Sequence, residues 1–128
     1  MKKLLLALFL CFIAPALASM GVQAAGSQPN SWRSADWSSS GQFPGAGDDR
    51  QAAVYVMAAR TGGLKGALAS HSWIVTKPEN GSYTRYDKVG WGSPIRVNGY
   101  PPDGRWYSNE PRALLIWRGE EAERVIPK

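Results

Sequence analysis

Cysteine occurs once in the 128 residues, at position 11, and histidine once, at position 71. Cys11 lies in an N-terminal stretch that reads as an address rather than as part of a fold. "MKK" is a positive start, "LLLALFLCFIAPALA" an apolar centre, and small residues follow, with cleavage expected after Ala18 or Ala24. Loss of residues 1–24 as a signal peptide leaves 104 residues without a thiol. That excludes a disulfide, a cysteine nucleophile and a thiolate metal ligand from the mature chain. A single histidine without cysteine makes no zinc site, so no metal is expected. No cofactor is expected either, because "TGGLKG" (61–66) matches neither the phosphate-loop nor the dinucleotide pattern.

Runs of basic residues are also lacking. The formal charge of +5 falls to +3 once Lys2 and Lys3 are removed, which is no footprint for nucleic acid. The address predicts export, with the periplasm as the first expectation. The alternative is an inner-membrane anchor formed by the uncleaved segment. Leu4 to Val22 approaches the roughly 20 apolar residues that a spanning helix needs.

Aromatic residues, by contrast, are plentiful. All six tryptophans (Trp32, Trp37, Trp73, Trp91, Trp106 and Trp117) and all five tyrosines lie beyond Ala24. Their scatter along the chain suits core volume better than a stacking platform. Residues 25–50 are rich in Gly, Ser and Pro without periodicity, and read as a linker or irregular arm laid against the domain through Trp32, Trp37 and Phe43. Residues 51–128 then form one small α+β domain.

Within that domain, "QAAVYVMAAR" (51–60) is apolar on both alternating faces, as in a buried strand. "HSWIVTK" (71–77) alternates His71, Trp73 and Val75 with Ser72, Ile74 and Thr76. Asn80-Gly81 is a strong hairpin signal, so 83–92 reads as the returning strand. A two-residue turn there pairs His71 with Gly90, Trp73 with Lys88 and Val75 with Tyr86, and turns Asp87 away from His71. Short strands are expected around Ile95–Val97 and Arg105–Tyr107, and a short helix from Gly119, where Glu120, Glu121 and Glu123 complement the helix dipole. The expected architecture is therefore a small antiparallel sheet centred on a 71–91 hairpin, with a short C-terminal helix and an irregular N-terminal arm.

Several motifs occur in a fixed order: Ala-Arg-Thr-Gly-Gly at 59–63, the His71-Ser-Trp-Ile strand entry, Gly90-Trp91-Gly92, Asp103-Gly104-Arg105-Trp106-Tyr107, and Arg-Gly-Glu-Glu-Ala at 118–122. In these the chain resembles an uncharacterised bacterial family, domain-of-unknown-function family 3750, over about residues 54–128. The resemblance implies no activity. It also implies a family whose members continue past the Glu-Glu-Ala helix into a second half with an Asn-containing motif, so a chain lacking that half is the expectation.

Two functional readings remain. The first is a binding or structural role in the cell envelope, with Trp73, Trp91 and Trp106 beside Arg85 and Arg105 lining a groove for cell-wall glycan or peptide. Aromatic faces supply stacking there, and guanidinium forks bind carboxylates. The alternative is part of a papain-like or amidase-like hydrolase using His71, since such enzymes place a histidine at a strand entry. With Asp87 turned away, Asp103 is the expected orienter. The nucleophile is the weak point, because neither Ser70 nor Ser72 sits in a Gly-x-Ser-x-Gly elbow and neighbours on a strand point to opposite faces.

Overall fold

The computed structural model describes residues 1–25, 31–90, 92 and 94–128, so the expectation for Trp91 lies outside the described residues. Five strands form one antiparallel sheet: β1 (Ala53–Arg60), β2 (Ser70–Lys77), β3 (Thr84–Lys88), β4 (Ile95–Val97) and β5 (Arg112–Arg118), in the order β4-β3-β2-β1-β5. The fold class is α+β, as the patterning predicts.

β1 is apolar on both faces because it lies inside the sheet and is covered on both sides. One face carries Tyr55, Met57, Trp73 and Val75, packed under Trp37, Phe43, Tyr83 and Tyr100 from outside the sheet. On the other face Ala52 and Val54 meet Ala122 and Ile126, which brings the short C-terminal helix (Glu120–Val125) against the sheet. Each large side chain so buried contributes roughly 1.5–3 kcal/mol. The edge strand β5 is exposed along its length. A bulge at Leu114, where Val56 pairs with Leu115 but Met57 with Ala113, and an arginine at each end blunt the free edge.

The arm is ordered by the loop it crosses. Ser40 donates its backbone N–H to Asp103 O (3.0 Å), Arg105 to Ser38 O (2.9 Å) and Ser108 to Asp36 O (3.0 Å). The strand expected at Arg105–Tyr107 does not form. Ser39 and Gly104 make an isolated bridge, and Trp106 and Asn109 close a tight turn.

The hairpin register differs from expectation by one residue. Gly81 N–H bonds to Pro78 O (2.9 Å), and Asn80, at φ +56°, takes the third position of that turn rather than the first of a two-residue turn. Trp73 therefore pairs with Asp87 and Val75 with Arg85. A slip of one residue moves every side chain of the returning strand to the other face. Asp87 and Arg85 consequently share the face of His71, Trp73 and Val75.

At the N-terminus, helices α1 (Lys2–Leu8) and α2 (Ala14–Ala25) are joined through one π-helical stretch, Phe9–Ile13. Lys2–Val22 is long and apolar enough to cross a membrane and none of it is buried in the molecule. It is compatible with a signal sequence or an anchor. It meets the domain at the 3-10 turn Gly63–Ala67, where Ser19 Oγ donates to Ala67 O (2.9 Å).

Candidate functional site

His71 stands near the start of β2, where the strand leaves the Gly-rich turn. Its Nε2 lies 2.7 Å from Asp87 Oδ2. Asp87 is in turn gripped by Arg85, with Nε 2.7 Å from Oδ1 and Nη2 2.9 Å from Oδ2. The Arg85 and Asp87 side chains are both 0% exposed, and that of His71 is 15% exposed. Arg85 also donates from Nη1 to Pro101 O (2.8 Å) and lays its guanidinium 3.9 Å from the Trp73 ring centroid.

This arrangement satisfies a buried ion pair in the only way such a pair is tolerated, by bidentate geometry and added hydrogen bonds. Burial pushes the Asp87 carboxyl up, but the bonds from His71 and Arg85, with their charges, outweigh it and hold the group below the usual carboxylate range. Asp87 is thus a carboxylate, and it accepts the Nε2–H of a neutral or charged His71.

The imidazole is fixed from its faces as well. Trp106 stacks on it at 3.9 Å between centroids and 21° between planes, and Trp73 lies at 5.8 Å and 23°. Among the described residues no partner bonds Nδ1. The ring edges an open cavity of about 900 Å³ walled by Gly62, Lys65, Ser70, Lys88, Trp106 and Tyr107. A histidine with one nitrogen on a buried carboxylate and the other unengaged beside a cavity is equipped to exchange a proton with whatever the cavity holds.

The remaining expected site residues are placed as follows. Asp103 does not reach His71. Its Oδ1 accepts from Ser39 Oγ (2.6 Å) and its Oδ2 from the Phe43 N–H (3.1 Å), so it anchors the arm. Arg105 is engaged likewise, on Glu110 (2.7 Å) and on Ser38 and Ser39. Trp73 is buried with its Nε1 donating to Pro102 O (2.9 Å), leaving no face for a ligand. Trp106 is only 4% exposed, yet it lies in the cavity wall. Asp87, turned away from His71 by the expected register, instead bonds it, and Arg85, expected in a groove, is buried on Asp87. The signal for them was their spacing of two, which puts a carboxylate and a guanidinium on one face of a strand facing the histidine strand.

Two residues of the turn beneath the cavity carry positive φ, Tyr107 at +48° and Ser108 at +65°. A left-handed conformation costs a non-glycine residue roughly 1–2 kcal/mol, and such outliers concentrate at functional sites. Asn109 holds the turn in place by donating Nδ2 to Arg60 O (2.9 Å) and Thr61 O (3.3 Å). The Tyr107 ring packs onto Gly62, where an added Cβ would come within 2.4 Å of Cδ1. Gly62→Ala is therefore expected to displace Tyr107 and to cost about 1–3 kcal/mol. A denaturation midpoint matching the parent would show that Tyr107 yields freely.

A family model described as a protein of unknown function (DUF3750) matches residues 51–128. The chain belongs to this family. Comparison with curated proteins and with solved structures returns no match. The DUF3750 match spans β1 to the C-terminal helix and so contains His71, Asp87 and Arg85, while the arm that supplies Trp32 and Trp37 precedes it.

Proposed function

We propose that the domain is an acid–base catalyst of hydrolysis in the cell envelope, with His71 as general base, Asp87 as its orienting carboxylate and Arg85 as the residue that holds Asp87. The observation that carries this reading is the 2.7 Å contact between His71 Nε2 and Asp87, which leaves Nδ1 without a partner among the described residues on a ring that lines the cavity. No Ser or Thr hydroxyl bonds the ring among the described residues, so the nucleophile in this scheme is water. His71 Nδ1 takes a proton from water as the oxygen bonds to an acyl carbon. It then returns that proton to the leaving amine or alcohol as the carbon–nitrogen or carbon–oxygen bond breaks.

The burial of Trp73 and the anchoring duties of Asp103 and Arg105 weigh against the glycan groove expected from the tryptophans. The apolar N-terminal helix supports an envelope location, and cell-wall peptide is the first substrate class to try.

The test uses the full chain on cell-wall fragments and on simple acyl esters and amides, beside His71→Ala. General-base catalysis supplies roughly 10²- to 10⁴-fold, so the variant is expected to lose at least a hundredfold in product release. Equal products from parent and variant would sink the proposal.

A further inference from the structure

A second, apolar cleft of about 560 Å³ adjoins the histidine cavity, lined by Trp32, Trp37, Arg96, Tyr100, Trp106 and Tyr107. Trp32, Trp106 and Tyr107 line both spaces, so the two share a wall. Their characters differ. The cleft is almost wholly aromatic, with Trp37 at 5.6 Å from Tyr100, 5.1 Å from Trp106 and 4.7 Å from Tyr107 between ring centroids. The histidine cavity is bordered by the exposed cations Lys65 and Lys88.

Among the described residues no Asp or Glu lines either space. Asp87, which bonds His71, is buried and matched by Arg85. Lys65 and Lys88 therefore give the histidine cavity a positive border, and a concave, partly apolar site focuses such a field on its occupant.

We propose that the occupant of this double site is an amphiphilic anion: an apolar acyl or aryl group seated in the Trp37–Tyr100–Tyr107 cleft, joined through a carbonyl to a carboxylate- or phosphate-bearing half that lies toward Lys65 and Lys88. The joining carbonyl carries the bond presented to His71. The inference rests on the hydrolytic reading for its last clause alone, and the recognition stands on geometry and charge.

The test measures binding, apart from turnover. Full-length protein in lipid nanodiscs, against empty nanodiscs, is titrated calorimetrically with N-octanoyl-glutamate, octyl phosphate, octanamide and free glutamate. N-octanoyl-glutamate is expected to bind at least tenfold tighter than octanamide or glutamate, and octyl phosphate shows whether a phosphate serves as well as a carboxylate. Lys65→Gln with Lys88→Gln, both exposed and outside the hydrogen-bonded core, is expected to weaken N-octanoyl-glutamate at least tenfold and to leave octanamide unchanged.

N-octanoyl-glutamate binding no better than its two halves, or indifferent to the lysine pair, overturns the proposal. The two readings fail separately. Tight binding that survives His71→Ala without any turnover in the parent would sink the hydrolase and keep the ligand. Turnover of other esters without binding of these probes would do the reverse.

Discussion

Arg85→Met is expected to cost about 3–5 kcal/mol of folding stability, the penalty typical of removing one partner from a buried ion pair. Against a total of roughly 5–15 kcal/mol for a domain of this kind, that is a large share. The reason lies less in the lost attraction than in what stays behind. Asp87 is 0% exposed, and without the guanidinium fork only His71 remains to face its charge. The loss should appear as a lower denaturation midpoint at an unchanged slope. Arg85→Lys should recover only part of it, because an ammonium is a point charge and cannot bond Oδ1 and Oδ2 in parallel while lying flat on Trp73. Adding Asp87→Leu to Arg85→Met should restore most of the loss, since the pair can be replaced by apolar volume at little cost. A double variant as unstable as the sum of the single ones would show that Arg85 acts through packing on Trp73 rather than through Asp87.

The same pair explains where the sequence was legible and where it was not. Alternation placed β2, turn signals bracketed β4, and a run apolar on both faces announced β1 as a strand covered on both sides. The arm was legible as a segment lying on the domain because Trp37 and Phe43 are poor residues for free solvent. Parity was not legible. Asn80-Gly81 suits a two-residue turn, but here Asn80 sits third in a turn closed from Gly81 to Pro78, and the loop is longer by the amount that flips the strand. Alternation fixes which residues share a face within one strand, not which face meets the neighbouring strand. One residue of loop length thus decided whether Asp87 or Asp103 would orient His71. The role of Asp103 as an anchor for Ser39 and Phe43 was hidden for a different reason. Its partners lie some sixty residues away in a segment without periodicity, and no local pattern carries such a contact.

The largest expected effect on chemistry comes from Asp87→Asn, which keeps shape and changes who donates. In the parent the carboxylate accepts three hydrogen bonds, from Arg85 Nε, Arg85 Nη2 and His71 Nε2. An amide has one accepting atom, so at least one donor loses its acceptor. In the orientation that serves Arg85 Nε, the amide N–H faces His71 Nε2. That nitrogen must then accept, and the ring proton moves to Nδ1, the atom the proposed reaction needs bare. Hydrolysis, as proposed, is expected to fall by roughly 10²- to 10⁴-fold, the range of a lost general base, though His71 itself is untouched. Imidazole nitrogen NMR checks the cause without any substrate. The neutral ring of the parent should show a protonated Nε2 and an accepting Nδ1, and the variant should lose that single pattern. A parent ring protonated on Nδ1 would overturn the assignment of Asp87 as orienter. An altered ring with unaltered hydrolysis would separate His71 from the chemistry and leave the His71–Asp87–Arg85 chain as a rigid strut beneath the cavity.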